Sequence, residues 1–181
     1  MLFQIWEGER EMKKLSILIL VLSILNITAN ASHSAQNWAN AYYGRRGSDL
    51  AKSIQQTSDG GYIVAGSTGS FGDSLANYWV LKLDASGNVS WQNTYGGSGL
   101  DYAASIEQTS DGGYIVAGNT WSFGAGSSNV WILKLESNGD VSWQRTYGGT
   151  NGEGANSIQQ TTDGGYIVAG STSSLLFIPL L

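Results

Sequence analysis

Asp111-Gly112-Gly113-Tyr114-Ile115-Val116-Ala117-Gly118 is the stretch of sequence that decides the fold. An Asp-Gly pair favours a tight hairpin turn, because such turns need a residue with positive φ. The apolar run that follows indicates a strand buried on both faces. The longer segment 105–118 recurs nearly unchanged at 53–66 and at 157–170, each copy displaced by 52 positions. This regular spacing predicts a chain built from repeated structural units.

Each unit is predicted to contain four antiparallel strands. In the middle unit these strands are 103–109, 114–118, 130–136 and 141–147. Alternation along the fourth strand predicts Val141, Trp143 and Tyr147 on one face. Four strands within about fifty residues is the size of one propeller blade.

The residues beyond the hairpin carry a resemblance to known repeats. Trp131-Ile132-Leu133-Lys134-Leu135 and Trp143-Gln144-Arg145-Thr146-Tyr147-Gly148-Gly149 complete the unit. With the Asp-Gly-Gly-Tyr segment they resemble repeats of secreted bacterial and archaeal β-propeller proteins, in the style of kelch-like and quinoprotein-like blades. The resemblance covers about 36–172 and implies an all-β fold of four-stranded blades. It implies no single activity, because propellers carry many.

The repeat also predicts the organisation of the chain. We expect an upstream extension with a signal peptide, then propeller repeats, then an apolar tail outside the repeat, at 1–31, 32–174 and 175–181. The repeat units run about 38–92, 93–144 and 145–172, which amounts to about two and a half blades. A propeller needs about 4 to 8 blades to close. The interpretation is therefore an incomplete propeller, a fragment of a longer parent protein.

The N-terminal segment has the pattern of an export signal. Lys13-Lys14 precede the apolar run Leu15–Ile27, and small residues follow it. The run is shorter than the ~20 residues of a transmembrane helix, so a cleaved signal peptide is favoured over a membrane anchor. We predict cleavage after Ala31, with Ala35 as the second choice. The expected location is secreted or cell-surface.

Composition argues against several classes of function. The net charge is −5, and only six Lys and Arg residues follow position 31, so nucleic acid is not an expected partner. The absence of Cys excludes disulfides and thiolate metal sites. The one histidine, His33, lies just past the predicted cleavage point. We therefore predict a protein that is not an enzyme, with no cofactor and no metal site.

Two rows of acidic residues recur at the repeat distance. The turn residues Asp59, Asp111 and Asp163 are interpreted as hairpin caps that accept hydrogen bonds from backbone amides. The second row follows glycine-rich loops and consists of Asp49, Asp101 and Glu153. These carboxylates are candidates for binding a ligand such as a hard cation. The alternative is that each accepts hydrogen bonds from its neighbouring loop.

Trp121 is the remaining candidate for binding. It lies in a Gly- and Ser-rich loop where the preceding unit has Gly69. An aromatic residue that breaks the repeat in a loop is a candidate for partner contact. The strand tryptophans, which repeat strictly, are interpreted as packing between blades.

The functional expectation is a non-enzymatic, exported scaffold that binds a protein or a glycan. The alternatives are a fragment of a propeller enzyme or cofactor-binding protein that lacks its active site, and a nonfunctional truncated gene product. Exposed apolar blade faces also predict self-association.

Overall fold

A computed structural model of the protein describes residues 39–44, 47–72 and 76–174. Ten strands and no helix lie in this part of the chain, which confirms the prediction of an all-β fold. The strands are β1 (Asp49–Gln56), β2 (Tyr62–Thr68), β3 (Asn77–Leu83), β4 (Val89–Tyr95), β5 (Asp101–Gln108), β6 (Tyr114–Thr120), β7 (Asn129–Leu135), β8 (Val141–Tyr147), β9 (Glu153–Gln160) and β10 (Tyr166–Thr172). The predicted signal peptide at 1–31 and apolar tail at 175–181 lie outside the described residues.

The strands form three open antiparallel sheets. Strands β1 to β4 make one four-stranded sheet and β5 to β8 make another, each in simple sequential order. Strands β9 and β10 pair as a two-stranded sheet. The pairing register matches between the first two sheets, with Tyr62 opposite Leu83 in one and Tyr114 opposite Leu135 in the other. The predicted strand order within a unit is therefore the order observed.

The turns between the first and second strands need glycine because the backbone there has positive φ. Gly60, Gly112 and Gly164 have φ of 82°, 83° and 87°, a region that favours glycine. In the middle turn, the Gly112 amide donates to the Thr109 carbonyl at 2.9 Å. A side chain at these glycines would be strained although space is open around each one. The turn chemistry thus sets where β5 ends and β6 begins.

Apolar faces of successive sheets pack against each other. Between the first two sheets, one buried cluster combines Ile63, Ala65, Tyr78 and Val80 with Tyr114, Val116, Trp131, Leu133 and Leu135, among others. The next cluster joins the second sheet to the two-stranded one through Ile115, Ala117, Ile132, Ala155 and Ile158. Strand β6 contributes to both clusters, which explains why its sequence is apolar on both faces.

The fourth strand differs from its predicted alternation. The register shifts between Lys134 and Leu135, which pair with Trp143 and Val141. This bulge inserts one residue and reverses the alternation. Val141 and Trp143 therefore lie on opposite faces of the sheet, and the prediction that they share a face is wrong. Trp143 faces the two-stranded sheet, where it packs on Tyr166.

The polar first strands connect one sheet to the next. The Gln108 amide on β5 donates to the Gln55 side chain on β1 at 2.6 Å, and the Ile106 amide donates to Ser53 at 3.2 Å. The same relation links Gln160 on β9 to Glu107 on β5. Side chains of one first strand therefore satisfy edge amides of the next, which would otherwise lack strand partners.

Candidate functional site

A buried lysine stands beside the turn aspartate in each complete sheet. Lys82 Nζ lies 2.8 Å from Asp59, and Lys134 Nζ lies 2.9 Å from Asp111. The two lysines are 6% and 4% exposed, and each also donates to the carbonyl of the next residue. A buried ammonium needs such partners, because its desolvation is costly. The turn aspartates thus anchor the third strand as well as their own hairpins.

These contacts favour the ionised carboxylates. Hydrogen bonds from Lys82 and other donors hold the pKa of Asp59 well below its usual range. Hydrogen bonds from Thr109 and Lys134 lower the pKa of Asp111 to about 2. Both groups are therefore charged over the whole neutral range, which supports a structural function for them.

The third turn has the cap but no lysine. Asp163 accepts hydrogen bonds from the Thr161 hydroxyl and from the Gly165 amide at 3.1 Å, which lowers its pKa. Among the described residues, Asp163 forms no ion pair. It lies at the edge of the two-stranded sheet, where a third strand is absent from the described residues.

In the second acidic row, Asp101 is fully buried and held by its own loops. Its carboxylate accepts hydrogen bonds from the Thr120 hydroxyl, from the Ser122 hydroxyl at 2.7 Å and from the Gly97 amide at 3.0 Å. Three donors satisfy a carboxylate that would be costly to bury alone. This arrangement favours the structural alternative for Asp101 over ligand binding.

The other two acids have similar surroundings. Asp49 accepts from the Gly44 amide at 2.7 Å and from the hydroxyls of Thr68 and Ser70. Partial burial opposes ionisation, but these donors together keep the Asp49 pKa below its usual range. Glu153 accepts from the Gly149 amide at 2.8 Å and from the Thr172 hydroxyl at 3.2 Å. The three acids therefore join a glycine loop to the end of the following hairpin.

No metal centre is evident in the described part of the chain. Within residues 39–44, 47–72 and 76–174, no three His, Cys, Asp or Glu side chains are placed to hold a metal ion. The predicted ligand-binding role of the acidic row therefore gains no support from clustering.

Most strand tryptophans are packing residues. Trp79 and Trp131 are 3% and 2% exposed, and each donates its indole N–H to a glutamine on the next strand at 3.1 Å. Trp91 packs edge-on against Tyr114 of the next sheet, as Trp143 packs against Tyr166. Their strict repetition in sequence follows from these repeated contacts.

Trp121 has a different environment. Trp121 is 44% exposed, and its ring meets the ring of Tyr102 at a centroid distance of 5.9 Å and an interplanar angle of 87°, an edge-to-face contact. Tyr102 is 38% exposed and lies on β5 opposite Asn119, two residues before Trp121. The two rings form an exposed aromatic pair at the end of the β5–β6 hairpin. Large amphipathic rings of this kind are enriched in binding interfaces.

The sequence interpretation missed two sets of residues. Tyr102 was not recognised, although the equivalent positions are Leu50 and Gly154, so its departure from the repeat was visible. The buried lysines were also missed. Their signal was the constant 23-residue interval from each turn aspartate to Lys82 and Lys134.

An apolar groove of about 930 Å³ lies between the second sheet and β9–β10. Its lining includes Val130, Ile132, Trp143, Tyr166, Val168 and Thr172. The corresponding space between the first two sheets is filled by Trp131, Leu133 and Leu135 of β7. The groove is therefore the position of a third strand that no described residue provides.

No protein-family model matches the chain, and a search of curated proteins finds no significant relative. The described residues contain no helix long and apolar enough to cross a membrane.

Proposed function

We propose that the chain is a non-enzymatic, exported repeat scaffold of β-propeller blades that binds a glycan or a protein through Trp121 and Tyr102. The observation that carries this proposal is the exposed aromatic pair, which occurs in one unit only. Leu50 and Gly69 take its place in the preceding unit, where β1 and β2 pair in the same register. Since that register forms without the rings, hairpin pairing does not require them.

Three observations support propeller blades. Two successive four-stranded sheets have the same strand order, and their apolar faces pack together. Short parallel bridges, Ala76 to Leu100 and Ser128 to Gly152, connect the loop before each third strand with the start of the next sheet. Repeated blades around an axis would use this same contact at each step.

The pair offers chemistry suited to a glycan or to a protein side chain. The apolar face of a sugar or an aliphatic side chain can pack on the indole, and the phenol and indole N–H can form hydrogen bonds. The acid next to Tyr102 in the chain is engaged elsewhere, since Asp101 accepts hydrogen bonds from the Ser122 hydroxyl and the Gly97 amide. This engagement favours binding over acid–base catalysis at the rim.

The test compares the full chain with a double variant on a glycan array and an array of extracellular proteins. Trp121→Gly with Tyr102→Leu installs the residues of the preceding unit, so the fold is expected to remain. The control is Tyr43→Leu, which removes an aromatic residue that is 64% exposed at another place. We expect ligands of the wild type to be lost in the double variant and kept in the control. Equal binding by all three proteins would refute the proposal.

A further inference from the structure

One edge of β10 combines three features that point to one kind of partner. These features are a strand edge that no described residue pairs with, the apolar groove beside it, and the turn carboxylate of Asp163. Each feature has a counterpart in the four-stranded sheets, where the third strand supplies the residues that contact it. None of them involves the aromatic pair of the proposed function.

The first feature is the strand edge. In the second sheet β6 pairs with β5 on one side and with β7 on the other. Strand β10 pairs with β9 alone among the described residues. Val168 is half-buried where its counterpart Val116 is 0% exposed. An edge with unpaired amides and carbonyls is a template for an added strand.

The second feature is the groove. The equivalent space beside β6 receives Trp131, Leu133 and Leu135, which alternate along β7 and are 2%, 0% and 0% exposed. A strand added to β10 in the same register would direct residues at these positions into the groove. The groove is therefore shaped for a large aromatic residue followed by two leucine-sized residues at alternate positions.

The third feature is charge. Asp59 and Asp111 each hold a lysine from the third strand of their own sheet. Asp163 has the same bonds to its turn but no lysine in the described part of the chain. In the register of the second sheet that lysine stands opposite Ile115, so its place on an added strand is opposite Ile167. Asp163 therefore specifies a cation at one position of the partner.

Trp143 and Tyr147 on β8 are hydrogen-bond donors that a partner at this edge could satisfy, as a comparison with the equivalent residues of β4 indicates. Trp91 donates its indole N–H to the Ser137 carbonyl, and Tyr95 donates its hydroxyl to the Gly139 carbonyl, in the hairpin turn of the next sheet. Their counterparts, Trp143 and Tyr147, have no acceptor among the described residues. A hairpin, with its turn carbonyls placed here, would satisfy these donors as a single strand would not.

We infer that the edge of β10 binds a β-hairpin of a protein other than a second copy of this chain, and that the first strand of this hairpin has the pattern Trp-x-Leu-Lys-Leu. Its Trp and Leu side chains fill the groove, and its lysine pairs with Asp163. The interaction adds strands to an existing sheet, so backbone hydrogen bonds provide affinity and the alternating side chains provide selectivity.

The probe is a synthetic hairpin peptide with the sequence of residues 129–147, which has the required pattern. It is titrated into the full chain, with binding followed by fluorescence anisotropy of the labelled peptide. Hydrogen exchange then reports protection of the amides in Tyr166–Thr172. We expect saturable binding with protection confined to β10 and the groove, and no binding by a scrambled peptide.

A double-mutant comparison isolates the ion pair. Asp163→Asn in the protein and Lys134→Gln in the peptide should each weaken binding by about threefold, and together by no more than either alone. The control is Asp140→Asn in the protein, with the peptide unchanged. It makes the same change of charge at an exposed turn outside the groove, so it should leave binding unchanged.

Three outcomes would overturn the inference. The first is absence of peptide binding by a folded chain. The second is equal binding by wild type and Asp163→Asn. The third is protection of β10 that rises with protein concentration without peptide, which would assign the edge to a second copy of this chain.

Discussion

The salt bridge between Asp111 and Lys134, called the corner below, allows a test of how much an exposed carboxylate stabilises a buried ammonium. Lys134 is buried and Asp111 has a side chain that is 61% exposed, so the two partners are not equivalent. Asp111→Asn keeps the shape of the turn but leaves the ammonium with neutral acceptors alone, the amide oxygen of residue 111 and the Leu135 carbonyl. Lys134→Met keeps much of the apolar stem and leaves a carboxylate that water can reach. The aspartate change should therefore cost more than the lysine change.

The magnitude follows from the geometry. At 2.9 Å, attraction between unit charges is about 6 kcal/mol for an effective dielectric constant of about 20, an upper bound. Exposure of the carboxylate screens this, so we expect Asp111→Asn to cost about 1 to 2 kcal/mol of unfolding free energy. Lys134→Met should cost under about 1 kcal/mol, because the stem still packs. Urea unfolding followed by tryptophan fluorescence measures both values. Equal costs, or a larger cost for Lys134→Met, would refute this account of the corner.

Three further outcomes follow from the same contacts. The pKa of Asp111 in the folded protein, about 2, is below its value in the unfolded chain, so this group stabilises the fold above about pH 4 and the contribution is lost as pH falls toward 2. The free energy of unfolding measured against pH should show this loss, and the loss should be smaller in Asp111→Asn. Gln55→Ala leaves the Gln108 amide without its acceptor and should cost about 1 kcal/mol, with faster hydrogen exchange at that amide; unchanged exchange would contradict the linking role. Leu133→Ala empties a fully buried position and should cost about 2 to 5 kcal/mol in thermal or urea unfolding, while Trp121→Gly should change stability by less than about 1 kcal/mol.

Local patterns were sufficient to predict the strands, because the signals act within one hairpin. Asp-Gly placed the turn before Tyr114, and the doubly apolar run predicted a strand between two layers; the observed strand begins at that residue. The bulge at Val141 was not predictable from alternation, since it depends on pairing with Leu135 across the sheet. The first strands are polar in sequence, but their function could not be predicted, because it involves amides about fifty residues away.

The candidate site was predicted only in part for a similar reason. Trp121 was recognised because it breaks the repeat, yet its partner Tyr102 is nineteen residues earlier and meets it only through the pairing of β5 with β6. The sequence showed that the carboxylates of Asp49, Asp101 and Glu153 recur at the repeat distance. Which donors each carboxylate accepts from depends on hydroxyls such as Thr120 and Ser122 at the far end of a hairpin.

The repeat provides an internal comparison that separates packing from function. Where units agree in residue and contact, as in the indole N–H of Trp79 and Trp131 to a glutamine, packing is sufficient explanation. Tyr102 and Trp121 depart from the repeat together, and they touch each other. Independent drift at two exposed positions would not favour two aromatic residues in contact. A shared function for the pair accounts for both departures at once, so the pair rather than either residue alone is the unit to test.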